Sequence, residues 1–321
     1  MHPPVTLRSL RSLRVRMMGA VKRKKMKRRP LIAYFVLVTL ISAVFIVGMK
    51  LMGKSGHYLA GPYMLGPALA AIITRMFFYQ HKFADAHLRF GRWQAYLQFW
   101  GFTLAIVLLS YVMYTLLGSI SWDFSGETFL SQLKNQMALS GQRIDNLPAG
   151  LTPKMMLVLF FIGGLTIFNV PLVIAGFGEE FGWRGFMFPQ LCRTRLAAGF
   201  VVGGLVWFAW HVPLVFIMPS PTDFTTLQHV FNAITLAIGS ICTFVYFAYV
   251  YAKSGSIWVV SLVHAVFNNG SRSFSYFANI ESQLMANIGM TFTMIAVVAF
   301  LYVRKELTIF DNFLSKDKNI A

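Results

Sequence analysis

The sequence predicts an all-α, polytopic integral membrane protein with about eight transmembrane helices and an intramembrane polar site. Hydrophobic residues make up 56% of the 321 residues and charged residues only 12%, about half of the roughly 25% that is usual in soluble domains. Uncharged runs with the length of a transmembrane helix recur along the chain. These observations exclude an ordinary soluble domain.

Eight apolar runs are long enough, or nearly long enough, to cross a hydrocarbon core of about 30 Å. The second and the seventh are the shortest and the least secure on length alone. In chain order the predicted spans are residues 31–49, 58–74, 96–118, 155–178, 196–218, 230–252, 256–270 and 284–303.

Basic residues predict the orientation of these spans, because cytoplasmic loops accumulate Lys and Arg. With the N-terminus inside, alternation of the spans assigns 23 of the 29 basic residues to the cytoplasm, 11 of them in residues 1–30. We therefore expect both termini in the cytoplasm, in a bacterial cytoplasmic membrane. The basic tail is expected to contact membrane lipids and no nucleic acid.

One membrane-embedded domain, residues 31–303, accounts for most of the chain, between an N-terminal tail (1–30) and a C-terminal tail (304–321). The longest stretch between spans predicts a short amphipathic helix around residues 127–137. Cys192 and Cys242 are the two cysteines. They form no disulfide framework, and we expect both to be unpaired.

Three charges follow the uncharged residues 155–178: Glu179, Glu180 and Arg184. A charge at mid-bilayer costs roughly 2.5 to 3.5 kcal/mol, so such charges pair, reach water or do chemistry. Glu180 and Arg184 are one helical turn apart, which predicts an ion pair. Glu179 is rotated about 100° from Glu180, so we expect its carboxylate to be free to act as a base. The alternative is a solvated cluster at the membrane surface.

The helix that carries this cluster is expected to end near Phe188, because Pro189 follows. If it does, Glu179 lies about 10 residues, or roughly 15 Å, inside the cytoplasmic end of the helix.

Two later spans carry further polar residues. His211 follows Trp207 by one turn, and His264 precedes Asn268 by one turn. Taken singly, each histidine has the alternative role of a hydrogen-bonded residue within or between helices. Taken together, the three spans can bring Glu and His side chains to comparable depth, as a shared site requires.

Such a site has the parts of a peptide hydrolase. A carboxylate and an imidazole can activate water, while a second imidazole and an amide can donate hydrogen bonds to an oxyanion. No serine or cysteine is placed with a histidine in these segments, which disfavours a covalent nucleophile. Alternatively, Glu179, His211 and His264 are three ligands of a catalytic zinc, although no H-E-x-x-H motif occurs.

The ordered motifs resemble the CPBP family of intramembrane proteases, which includes the type II CAAX prenyl endopeptidases and bacterial relatives linked to bacteriocin immunity. The family pattern is E-E-x-x-x-R, F-x-x-x-H and H-x-x-x-N, and the resemblance covers about residues 153–270. Trp207 stands where the family more often has Phe, which keeps an aromatic ring beside the histidine. In this chain the motifs are Glu179-Glu180 to Arg184, Trp207 to His211, and His264 to Asn268.

The resemblance implies a role for each motif residue. Glu179 with His211 would activate water, and His264 and Asn268 would support the oxyanion. The resemblance leaves the cofactor open, because many members carry the name metalloprotease whereas a glutamate-activated water needs no metal. A divalent metal, zinc above all, therefore stays possible at Glu179, His211 and His264.

By the same resemblance, Glu180 and Arg184 would hold the site together. The implied activity is cleavage of membrane-associated or lipidated (CAAX-type) proteins or peptides. Two alternatives are a non-catalytic bacteriocin self-immunity or scaffold protein of the same fold, and a transporter. Transporters often show repeat symmetry with broken spans in both halves, whereas the first three spans here carry almost nothing polar.

Overall fold

The structure is a computed structural model in which the described residues form a bundle of α-helices. It describes residues 28–80, 82–139, 150, 152–165, 170–217 and 224–316, so most of the basic N-terminal tail and the end of the C-terminal tail lie outside the described residues. The strands described in these ranges are β1, Ile120–Trp122, and β2, Ala278–Ile280, which pair antiparallel with Ile120 opposite Ile280. The predicted all-α class is confirmed.

The described part of the chain contains thirteen α-helices, numbered here in chain order. Short 3₁₀ segments precede α2 and α13. The α-helices are α1 Arg28–Met52, α2 Ala60–Met64, α3 Gly66–Phe78, α4 Trp93–Leu116, α5 Glu127–Leu139, α6 Pro153–Leu165, α7 Val170–Gly182, α8 Phe188–Cys192, α9 Leu196–Ile217, α10 Thr226–Ser254, α11 Ile257–Ser275, α12 Gln283–Val303 and α13 Ile309–Lys316.

Six helical stretches in the described residues are long and apolar enough to cross a membrane. A polytopic membrane protein is confirmed, whereas the count of eight spans is not. The second predicted run, residues 58–74, is broken into the end of a 3₁₀ segment, α2 and part of α3. The seventh forms α11, which is mostly buried among other helices and carries polar residues in its second half. The six stretches are Arg28–Met52, Trp93–Leu116, Pro153–Cys192, Leu196–Ile217, Thr226–Ser254 and Gln283–Val303.

The amphipathic helix predicted around residues 127–137 is confirmed as α5, Glu127–Leu139. Asp123 lies just before it, and its carboxylate accepts hydrogen bonds from the Ser125 hydroxyl at 2.5 Å and from the backbone N–H of Thr128 at 2.7 Å. Hydrogen bonds from Ser125 and Thr128 hold the pKa of Asp123 well below its usual range. The ionised carboxylate therefore favours the helix start. Within the described residues neither Cys192 nor Cys242 forms a disulfide bond, as predicted.

Side-chain caps determine where the helices around the motifs begin. Thr225 and Gln228 form a capping box at the start of α10. Gly255 ends that helix at a φ of 60°, a left-handed conformation that suits glycine. The Ser256 hydroxyl then accepts from the third backbone N–H after it and starts α11. His264 is thereby placed about two turns inside α11.

A π-helical turn, Trp183–Met187, follows α7 and changes the predicted end of this helix. Helical structure continues through Pro189 to Cys192, so the predicted end near Phe188 is wrong. Pro189 takes an early position in the new segment α8. It has no N–H for the carbonyl oxygen of Gly185, four residues earlier, and that oxygen accepts from Arg75 instead. Single π turns often lie at functional sites.

Glycines let α7 lie directly against the turn between α2 and α3. A Cβ on Gly178 would lie 2.6 Å from the carbonyl oxygen of Met64, and a Cβ on Gly182 would lie 2.4 Å from Cβ of Pro67. Small residues permit this backbone approach between membrane helices. The glutamates between these two glycines are consequently held at a fixed place in the bundle.

The replacement Gly182→Ala is expected to lower the free energy of unfolding by about 1 to 3 kcal/mol, because the new methyl group overpacks the contact with Pro67. The matched control is Gly101→Ala in α4, where a Cβ meets nothing within 4 Å. Thermal unfolding in detergent measures both variants. Equal melting temperatures for the two would contradict the close contact.

Candidate active site

Glu180 is the centre of a buried hydrogen-bonded group. Its Oε1 accepts from Nη1 of Arg184 at 2.9 Å and from Nδ1 of His264 at 2.7 Å. All three side chains are buried. The ion pair predicted from the one-turn spacing is confirmed, and Glu180 also links α7 to α11. The sequence did not predict this second contact, because His264 lies 84 residues farther along the chain.

Aromatic rings surround the guanidinium of Arg184. Its Cζ lies 4.7 Å from the ring centroid of Trp207, 4.6 Å from that of Phe244 and 5.0 Å from that of Phe247. A guanidinium over aromatic faces is attracted by their quadrupoles, and more strongly where water is excluded. Helices α9 and α10 therefore stabilise a fully buried cation whose carboxylate partner is on α7.

Glu179 is buried and hydrogen-bonded. Its Oε2 accepts from the indole Nε1 of Trp207 at 2.9 Å. Its Oε1 lies 3.9 Å from Nε2 of His264, which is too long for a direct hydrogen bond. Glu179 therefore has a different neighbour from Glu180, as its helical position predicts: Trp207 from α9 reaches it across the helix interface, while its role as a base stays a prediction.

His211 lies one turn after Trp207 in α9, and its Nδ1 is 2.8 Å from the backbone carbonyl oxygen of Trp207. A carbonyl oxygen can only accept, so Nδ1 carries the proton. In the neutral ring the remaining nitrogen, Nε2, is then the basic one. The ring also stands edge-on to Trp210, with centroids 4.8 Å apart.

A cavity of about 450 Å³ lies beside these residues. Trp207, His211, His264 and Asn268 are all part of its wall. Two helices that are separate in the sequence, α9 and α11, thus present the second and third motifs to one space. Glu179 is not among the lining side chains and is only 2% exposed, so it lies just behind the wall.

The same cavity extends along α10 and α12, where carboxamides form part of its wall. Nδ2 of Asn287 donates to Oδ1 of Asn232 at 2.7 Å, and Nε2 of Gln283 donates to Oδ1 of Asn287 at 3.0 Å. These bonds join α10 and α12 in the way that polar side chains join membrane helices. The cavity therefore combines apolar walls with a polar end.

Arg75, which directly follows the predicted span 58–74, is a buried cation near the site. It is 2% exposed, and its Nη2 donates to the carbonyl oxygen of Gly185 at 2.6 Å. Its Nη1 donates to the Lys82 carbonyl oxygen at 2.9 Å and to the Asp85 carboxylate. Because Gly185 belongs to the π turn, Arg75 helps to fix the segment that carries Arg184. The sequence shows Arg75 directly after an apolar run. The positive-inside rule explains a basic residue at such a position, so the sequence did not predict that Arg75 is buried.

The zinc alternative has a geometric test in these side chains. A catalytic zinc needs three ligand atoms about 2.0 to 2.2 Å from one point. In the described residues, which include Glu179, His211 and His264, no three His, Cys, Asp or Glu side chains are grouped to hold a metal ion. The residues therefore do not fit a zinc site in this arrangement.

One family model matches the part of the chain that contains these residues. Residues 155–270 match the family model described as Type II CAAX prenyl endopeptidase Rce1-like. The resemblance to the CPBP family of intramembrane proteases is thereby confirmed. The matched range contains every motif residue, from Glu179 to Asn268.

A curated relative supports the same resemblance over a shorter stretch. The chain is 40% identical over 47 residues to CAAX prenyl protease 2 of Methanococcus maripaludis. This stretch covers 14% of the chain and 17% of the relative, so the chain matches about a sixth of the relative's length.

The replacement Arg184→Ala is expected to lower the free energy of unfolding by about 3 to 5 kcal/mol, because it leaves Glu180 buried without its cation. The matched control is Lys253→Ala, which breaks a pair with Glu306 that is 41% and 34% exposed. The control is expected to cost about 0 to 1 kcal/mol. Denaturant unfolding in detergent measures both, and a similar cost for the two variants would count against the buried pair.

Proposed function

We propose that this chain is an intramembrane endopeptidase that hydrolyses a peptide bond with an activated water molecule. The observation that carries the proposal is one cavity whose wall includes His211, His264 and Asn268, with Glu179 directly behind it. The Rce1-like match over residues 155–270 supports the same reaction class. No covalent nucleophile takes part in this proposal.

The proposed bases are Glu179 and His211. Oε1 of Glu179 faces Nε2 of His264 across 3.9 Å, a separation that suits a bridging oxygen such as that of water. Nε2 of His211 is the basic nitrogen of its ring and belongs to a side chain that lines the cavity. Glu179 with His211 takes the proton of the attacking water, which is later delivered to the leaving amine.

The proposed oxyanion donors are His264 and Asn268. Nδ1–H of His264 donates to Glu180, so Nε2 donates to an oxyanion only if the ring is protonated at both nitrogens. The geometry supports that form, because a carboxylate lies beside each nitrogen of the ring: Glu180 at Nδ1 and Oε1 of Glu179 at 3.9 Å from Nε2. The side-chain amide of Asn268 supplies the second donor.

Glu180 and Arg184 are proposed to act through His264. Arg184 holds the Glu180 carboxylate in place, and Glu180 orients the His264 ring through its Nδ1. A ring held by a buried carboxylate is fixed before the substrate binds, which is what transition-state stabilisation requires.

The proposed substrates are peptides or membrane-anchored proteins, including lipidated proteins of CAAX type. The cavity lies among membrane helices, so these substrates reach it from the bilayer or its boundary. The relative from Methanococcus maripaludis carries the name CAAX prenyl protease 2. We further propose a single domain over residues 31–303, a bacterial cytoplasmic membrane as the location, and both termini in the cytoplasm.

The replacement Glu179→Gln is expected to abolish cleavage, with a loss of at least about 100-fold, because the amide still accepts from Trp207 but cannot take a proton. His264→Ala should behave in the same way. New protein termini in membranes that contain the wild type are compared with those in membranes that contain each variant.

The control in this comparison is Glu306→Gln, which removes an exposed carboxylate paired with Lys253 and should leave the termini as in the wild type. Identical protein termini in membranes with the wild type and with Glu179→Gln would contradict the protease proposal. That result would favour a protein of the same fold that binds a peptide without cutting it.

Removal of divalent metal is expected to leave cleavage unchanged, because the described side chains do not assemble a three-ligand site. The measurement is the cleavage rate of purified protein after dialysis against a chelator, then after zinc is added back. A rate that collapses in chelator and returns with zinc would require a different arrangement of Glu179, His211 and His264.

A further inference from the structure

We infer that Trp207 is a positioning residue for Glu179, acting through its indole N–H. This inference rests on the proposed function, in which Glu179 is the base. The indole Nε1 donates to Oε2 of Glu179 at 2.9 Å, and both side chains are buried. The bond leaves Oε1 as the carboxylate oxygen that faces His264.

Trp207 is well placed to fix the orientation of the Glu179 carboxylate, because it contacts most of the site. Its ring lies under the guanidinium of Arg184 at 4.7 Å and edge-on to the ring of His264 at 6.1 Å. Its backbone carbonyl accepts from Nδ1 of His211 at 2.8 Å. A side chain packed on several sides keeps one rotamer, so its N–H points in one direction.

The N–H group has an effect that ring packing cannot supply. Phe, which the family pattern more often has at this position, would keep the aromatic contacts, but in this chain it would leave Oε2 of Glu179 buried without the donor that holds it. An unsatisfied buried carboxylate oxygen is costly, so the carboxylate would seek another donor. Nε2 of His264 is 3.9 Å from the other oxygen, and with the ring protonated at both nitrogens it is a donor within reach of a small rotation. A direct hydrogen bond between Oε1 of Glu179 and Nε2 of His264 would then remove the space in which the proposal places the oxygen of the attacking water.

The first test measures kcat and KM for cleavage of a farnesylated CAAX peptide by the purified protein in detergent. The replacement Trp207→Phe is expected to lower kcat about 10- to 100-fold, with KM changed by less than about threefold, because a charge-assisted hydrogen bond is lost at the base and the cavity wall is kept. Replacement of Trp207 by β-(3-benzothienyl)alanine, which keeps the bicyclic shape and lacks the N–H, should reproduce this loss.

Trp210→Phe is the matched control. Trp210 lies on the same helix, is equally buried, and donates its indole N–H to the Ser42 hydroxyl at 2.8 Å. It is expected to lower the melting temperature to a similar extent and to change kcat by less than about threefold. Wild-type kcat in Trp207→Phe, or in the benzothienyl protein, would overturn the inference. An equal loss of kcat in Trp210→Phe would also overturn it.

A second measurement needs no catalytic activity and separates this inference from the proposed function. The indole ¹H–¹⁵N resonance of Trp207 is assigned by its loss in Trp207→Phe and then recorded in Glu179→Leu. Removal of the acceptor is expected to move this resonance upfield and to leave that of Trp210 in place. A wild type that cuts no CAAX peptide but shows this shift would contradict the proposed substrate and retain the contact. An unmoved resonance would overturn the contact even in an active enzyme.

Discussion

The interaction on which the rest of the site depends is the sharing of one carboxylate oxygen, Oε1 of Glu180, by Arg184 and His264. It joins α7 to α11 and places a histidine at a fixed depth in the bundle. A buried carboxylate is tolerated only where its partners supply charge and hydrogen bonds. The neighbouring helices supply these partners and the groups that hold them.

Three features of the structure stabilise or position Arg184, the cation that pairs with Glu180. The rings of Trp207, Phe244 and Phe247 surround the guanidinium of Arg184. The π turn Trp183–Met187 carries Arg184, and Arg75 holds a carbonyl oxygen of that turn. The proposed catalytic groups are built on this support, on helices and not on loops. Positions on packed helices vary less than positions on loops, which favours a preorganised site.

The sequence predicted the local part of this arrangement and missed the long-range part. The pair of Glu180 and Arg184 is one helical turn apart, so spacing alone was sufficient. The contact of Glu179 with Trp207 joins residues 28 apart in the chain, and only the packing of α9 against α7 creates it. The tryptophan was visible as an aromatic neighbour of His211, but the direction of its N–H was not. The count of eight spans is not confirmed, because the two shortest runs are not among the membrane-length helical stretches of the described residues, and length is a weak guide for such runs.

By itself the sequence determined that this is a helical membrane protein with three ordered polar motifs that resemble those of the CPBP family, because composition and spacing are properties of the chain alone. The tertiary structure decided that Glu180 also holds His264 of another helix and that an indole of a third helix holds Glu179. The roles of those groups remain proposals. The physical reason is that hydrogen bonds between helices depend on crossing geometry and rotamers, neither of which can be read from spacing along one helix.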